Sequence, residues 1–247
     1  MLWETCGTAN ILDNLKEGLQ MYFQFLVEDQ STEVLIRHIM ELLQKKLIEE
    51  DKDDMSLFYD IKSFKGIGHL KKEGSINAQK TGMLLNDLPG IMRGMGRALQ
   101  YMDHAAIIVV MDNDKNDPTV FLEELHNMAD AHMVLVDHEF CIAIKEMEAW
   151  ILGDEKAIYK AYPTYKKTAL RDYEQDGICD TWEVLANAVY PGGLPALKKK
   201  AAGSYAEIGK AKYEWADKIG KEMDLIENNS PSYRRFVNCL LKRAGVA

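Results

Sequence analysis

The chain has 247 residues, 47% hydrophobic and 28% charged, which excludes disordered, collagen-like and disulfide-stapled classes and fits one sizeable domain, alone or with a smaller appendage. Its longest apolar run, Ala105–Met111, falls well short of the roughly 18 residues of a membrane span. The net charge of −9 is uneven: residues 1–150 hold 14 Lys and Arg against 26 Asp and Glu, whereas residues 151–247 hold 16 against 13. An acidic first part and a mildly basic second part argue against a general nucleic-acid coat.

Residues 1–20 precede the first clear strand and read as an N-terminal extension. Trp3, Glu4, Asp13 and Glu17 interrupt any apolar core there, so no secretory signal is expected. Cys6, Cys141, Cys179 and Cys239 are scattered without a Cys-x-x-Cys pair, which reads as a reduced, cytoplasmic protein. Residues 21–27 are aromatic and aliphatic and predict a buried strand ending at Glu28-Asp29. Thr32 to Glu50 carries helical spacing through Val34, Leu35, Ile39, Leu42, Leu43 and Leu47, with Ser31 or Thr32 as N-cap. Leu57–Phe64 predicts a second strand, followed by the loop Gly66-Ile67-Gly68-His69. Residues 76–103 read as mostly helical, although Gly90, Gly94 and Gly96 weaken the pattern.

Ala105–Met111 predicts a central strand covered on both faces, and it ends in Asp112-Asn113-Asp114. A helix follows over about 119–130, then strands at 132–136 and 140–144, then Glu146-Met147-Glu148-Ala149-Trp150. Alternating strands and helices imply an α/β fold, with a mostly parallel sheet and helices on both faces. From Asp154 only helices are predicted, at about 155–161, 181–189, 195–200, 205–227 and 231–244, the last opened by Ser230-Pro231. The expected layout is an α/β domain over 21–153 with a helical C-terminal region, 154–247, packed on it.

Ligands of parallel sheets collect at the carboxyl ends of the strands. Three predicted strands end in acids there: Glu28, then Asp112 and Asp114, then Glu146 and Glu148. Gathered carboxylates repel one another unless a cation neutralises them, and hard oxygen donors select Mg²⁺ or Mn²⁺. Such ions commonly serve phosphoryl transfer. Position carries this reading more than the motif does, since ~6 acid-x-acid triplets arise by chance at this acid content. Asp117, before Pro118, reads as a helix cap.

Val27-Glu28-Asp29-Gln30-Ser31-Thr32-Glu33, Val109-Val110-Met111-Asp112-Asn113-Asp114, Glu146-x-Glu148-Ala149-Trp150, and the distal Glu214-Trp215 with Asn228-Asn229-Ser230-Pro231-Ser232-Tyr233 occur in this order. Together they resemble the Rossmann-like TOPRIM fold, most closely a TOPRIM-like family of unknown function. That family is related to the nuclease domains of overcoming-lysogenization-defect (OLD) proteins and often sits beside ATPases in mobile-element or phage-defence loci. The resemblance spans about residues 21–240. It implies a metal-dependent nuclease in which Glu28 is the general acid/base or a metal ligand, Asp112 and Asp114 hold Mg²⁺ or Mn²⁺, and Glu146 and Glu148 are further acidic groups. The chain departs from the pattern at Asp29, where the family usually has Gly.

Outside the acids, His69 is a candidate phosphate contact on its loop, set against an ordinary solvated histidine. Lys198, Lys199 and Lys200, with Lys166, Lys167 and Arg171, offer a phosphate-steering surface or a solvated face. Arg234 and Arg235 carry the same two readings. The irregular spacing of His132 and His138 argues against zinc. The expected activity is phosphodiester hydrolysis on nucleic acid with a partner ATPase, with DNA, RNA and tRNA all open as substrates and oligomer formation open too. The rival is a non-catalytic TOPRIM-like regulatory or sensor subunit of an ATPase complex. Phosphoryl transfer on a small nucleotide is a third reading.

Overall fold

The computed structural model describes residues 20–50, 55–70, 82–113, 116–177 and 180–246. The extension over 1–19, Cys6, Asp114, Cys179 and the start of the second predicted helix lie outside the described residues. Four strands, β1 (Gln20–Val27), β2 (Ser56–Ser63), β3 (Ala105–Asp112) and β4 (Asp137–Ala143), form one all-parallel sheet in the order β2-β1-β3-β4. Every residue of β3 before Asp112 is buried, as expected of a strand covered on both faces. Edge strand β2 instead leaves alternate side chains exposed. The register sets Val27 opposite both Ser63 and Val110, and Asp112 opposite Ala143, so the carboxyl ends lie level.

Helices cover both faces. On one face Phe23, Phe25, Ile108, Val110 and Cys141 share a core with α1 (Gln30–Glu49) and the C-terminal helices. On the other Leu26, Ile107, Val109, Met111 and Phe140 pack with α2 (Leu84–Leu99) and α3 (Pro118–Ala131). Asp29, not the predicted Ser31 or Thr32, caps α1 by accepting from the Thr32 N–H at 2.8 Å. Asp117 caps α3, as its position before Pro118 suggests. Alternation alone was misleading over 132–136. Val134 N–H bonds back to Ala129 O, Met133 takes φ +49°, and Met133 and Leu135 stay exposed, so these residues leave α3 and β4 begins at Asp137. Among the described residues the sheet thus has four strands rather than the five predicted.

The C-terminal region comprises α4 (Glu148–Leu152), α5 (Glu155–Ala161), a 3₁₀ turn at Lys167–Leu170, α6 (Thr181–Val189), α7 (Gly193–Ala201), α8 (Tyr205–Gly220) and α9 (Pro231–Arg243), with no strand among the described residues. α8 stops at Gly220, shorter than the predicted 205–227. It lies along α1, where a Cβ at Gly220 would approach His38 and Leu35 within about 3 Å. Trp150 is fully buried, stacks on Phe236 and donates its indole N–H to Ser232 Oγ at 2.9 Å. Asn228 Nδ2 returns a bond to Trp150 O, and a Cβ at Gly153 would overlap Asn228 Oδ1. The Ala149-Trp150 and Asn228–Ser232 segments therefore hold each other, and α9 is sewn to the turn that follows β4.

Candidate active site

The chain leaves β1 for β2 on one side and later returns to β3 on the other, so the strand order reverses between β1 and β3. In an open parallel sheet this reversal leaves a crevice beyond the carboxyl ends, because neighbouring connections diverge to opposite faces. Glu28 and Asp112 stand at that crevice. Glu28 Oε2 accepts the Asp112 backbone N–H at 3.3 Å, and Asp112 Oδ1 accepts the Met147 N–H at 2.8 Å. Asp112 thus reaches across to the turn bearing Glu146 and Glu148.

That turn is shaped by Asn113, which is fully buried. Its Oδ1 accepts the Lys145 N–H at 2.7 Å, its Nδ2 donates to Asn116 O, and its own N–H donates to Ala143 O. Lys145 adopts φ +72°, a left-handed conformation that costs energy for a residue with a Cβ. The kink turns the chain back, so that Glu148 points inward.

Glu148 is completely buried, and Lys212 Nζ of α8 lies 3.1 Å from its Oε1. The contact is an ion pair, and neither Glu148 oxygen otherwise has a hydrogen-bond donor among the described residues. Burial and then the Glu28 charge push the Asp112 carboxyl well above the usual carboxylate range, with Lys212 opposing. Burial raises Glu148 also, again against Lys212. Burial alone would loosen the Lys212 proton, but Glu148, Asp112, Asp29 and Glu146 together bind it more tightly than usual. Glu148 is thus at ion-pair distance from the ammonium, and the other three acids act on it through their charges.

Glu146 takes another part. Its Oε2 accepts from Thr181 Oγ1 at 2.7 Å and from the Trp182 N–H at 3.2 Å, capping α6, whose own N-cap Asp180 makes no side-chain capping bond. Asp29 is occupied in capping α1, where it also accepts from Ser31 Oγ and Thr32 Oγ1. The Asp29 charge is thus tied to a helix start. Among the described residues no three His, Cys, Asp or Glu side chains form a group able to hold a metal ion. The donor set nonetheless suits a hard cation: Glu28 and Asp112 repel each other, and Glu148 keeps two buried oxygens that lack a donor among the described residues.

A cleft of about 1600 Å³ opens beside this cluster, lined by Lys62, His69, Asn86, Asn116, His132 and Glu146 among others. Its lining joins the His69 loop to Glu146, while Glu28, Asp112 and Glu148 do not line it. The His69 N–H is held by Asn86 Oδ1 at 2.7 Å. Lys198, Lys199 and Lys200 lie on α7, where Lys198 pairs with Glu183 and Lys200 with Glu207. His132 and His138 turn their Nδ1 atoms to the carbonyls of Met128 and Val136.

Lys212 and Asn113 are the site residues that motif reading passes over. Lys212 sits inside the stripe Ile208, Ala211, Trp215, Ala216, Ile219, where helical spacing calls for an apolar residue. A charge on such a stripe needs a buried partner, and that was the available signal. Comparisons with protein-family models, curated proteins and solved structures find no match to this chain.

Proposed function

We propose that this chain is a Mg²⁺- or Mn²⁺-dependent phosphodiesterase of TOPRIM type acting on nucleic acid. The observation that carries the reading is the meeting of Glu28 and Asp112 at the strand-order reversal, beside a fully buried Glu148 and its lysine. A bound divalent cation would polarise the phosphate and acidify a water. Glu28, Asp112 and, where it joins them, Asp114 would hold it, with Glu148 near enough to contribute. Glu28 is the group placed to accept a proton, because its carboxylate borders Asp112 at the carboxyl end of β1. Lys212 supplies a fixed positive charge for the negative charge that develops on the phosphoryl oxygens. Asn113 holds the β3 and β4 ends together, so that these groups keep their spacing.

With Lys198 and Lys200 already paired to acids, delivery of nucleic acid by a partner, an ATPase by the resemblance, fits better than capture by this chain alone. Phage-defence or mobile-element biology would follow from the same resemblance. One observation favours the rival, a non-catalytic regulatory or sensor subunit: Lys212 already supplies a cation to the acids.

The deciding experiment offers labelled tRNA, single-stranded DNA and duplex DNA with Mg²⁺, Mn²⁺ or chelator to the wild type and Asp112→Asn. Metal-dependent cleavage lost in the variant supports the enzyme and names the substrate. Absence of both cleavage and Mn²⁺ binding supports the regulatory subunit.

A further inference from the structure

Two thiols meet across the packing of α9 on β4. Cys141 is a buried residue of β4 and Cys239 a half-buried residue of α9 that packs against the core holding Cys141, so the two thiols adjoin. Most buried cysteines act as small hydrophobes. This pair differs because Arg243 Nη1 lies 2.8 Å from Cys239 Sγ. The rest of the guanidinium is fixed: Nε and Nη2 hold both Asp137 oxygens at 2.6 and 2.8 Å, and Nη2 reaches Glu139 at 3.3 Å. Arg243 is 15% exposed, whereas Asp137 and Glu139 are 52% and 42% exposed, so solvent reaches the edge of the cluster. A cation on one side and a thiol donor on the other favour the thiolate of Cys239.

We propose that Cys141 and Cys239 form a reversible oxidation site, at which a peroxide converts the thiol pair into an intrachain disulfide joining β4 to α9. In the first step the Cys239 thiolate attacks one peroxide oxygen; the S–O bond forms, the O–O bond breaks, and the departing hydroxide takes a proton to leave as water. Cys239 is then a sulfenic acid. Cys141 then attacks the Cys239 sulfur as its thiol proton passes to the departing hydroxide; the S–S bond forms, the S–O bond breaks, and a second water leaves. Two electrons pass from the sulfurs to the peroxide, and an external dithiol returns them. The consequence reaches the turn after β4, because Ser232 at the start of α9 holds the Trp150 indole and the Ile144 N–H.

The test exposes the reduced full chain to hydrogen peroxide, alkylates the remaining thiols under denaturing conditions, and maps unreduced peptides by mass spectrometry. The expected product is a Cys141–Cys239 linked peptide, lighter by two hydrogens and released by dithiothreitol, with Cys6 and Cys179 still alkylated. Arg243→Gln should slow cross-linking roughly tenfold, the scale of losing a charge-assisted hydrogen bond to the thiolate. Cys141→Ser, which leaves Arg243 in place, should halt the reaction at a Cys239 sulfenic acid that dimedone traps. Cys141 and Cys239 staying alkylatable while Cys6 or Cys179 oxidises would overturn the proposal, as would a Cys239 sulfinic acid with no cross-link.

Discussion

Two helices of the same region carry lysines in opposite circumstances. Lys212 of α8 is 19% exposed and faces a Glu148 with no exposure at all, whereas Lys198 of α7 is 52% exposed and meets a Glu183 that is 32% exposed. The ion-pair distances are close, 3.1 and 2.8 Å, so distance does not separate them. Solvent does. A charge pair in water forfeits most of its Coulomb energy to screening, while a buried one keeps it and leaves a large penalty if one partner goes. The run of three lysines draws the eye in the sequence, and the isolated lysine holds the site together.

The largest expected effect comes from breaking the buried side of this comparison. Lys212→Met leaves Glu148 enclosed without its cation and should cost about 3 kcal/mol of stability at neutral pH, the lower end for such a loss because the lysine is partly wetted. Adding Glu148→Gln should restore most of it, since no uncompensated charge remains. Urea denaturation of the single and double variants measures both. A single-variant loss below about 1 kcal/mol would mean that water already reaches Glu148.

Asp112→Asn should act in the opposite direction. Asparagine keeps the oxygen that accepts the Met147 N–H and removes a charge that burial and Glu28 both disfavour. The metal-free variant should therefore be more stable than the wild type by about 1 kcal/mol, while its Mn²⁺ affinity falls. The effect has a pH signature. A carboxyl raised in the folded state adds stability that is complete below its unfolded value, near 4, and is lost as pH rises through the folded value. The gap between variant and wild type should widen as pH rises above about 4, and added Mn²⁺ should close it at neutral pH. Melting curves across that range decide the matter, and a gap that stays flat would show Asp112 to be relaxed.

The same contrast explains what the sequence disclosed. The parallel sheet was legible because β1 is rich in aromatic and aliphatic residues and β3 is an unbroken apolar run, both ending in acids, and α9 because Ser230-Pro231 marks its start. The false strand at 132–136 has apolar residues in strand-like order, yet the chain exposes two of them while leaving α3, a choice that tertiary packing makes. At the site, Glu28 and Asp112 were visible because their strands announce them. Lys212 was not, because it lies 184 residues after Glu28 and only the packing of α8 against α1 brings it back. Asn113 looked like spacer between two aspartates, and its role depends on a backbone kink at Lys145 that no local pattern encodes.

The smallest expected effect tests the exposed side of the comparison. Lys198 spans Glu183 and the Trp182 ring, and Lys200 pairs with Glu207, all at the surface. Lys198→Ala and Lys200→Ala should each shift stability by no more than about 0.5 kcal/mol. Because these ammonium groups already have carboxylate partners, the salt dependence of nucleic-acid binding should stay unchanged in the double variant. Each lysine that truly contacts a phosphate would lower that slope by about one. A drop of about two in the double variant would move the nucleic-acid track onto α7 and give the sequence's basic run the role that the ion pairs argue against.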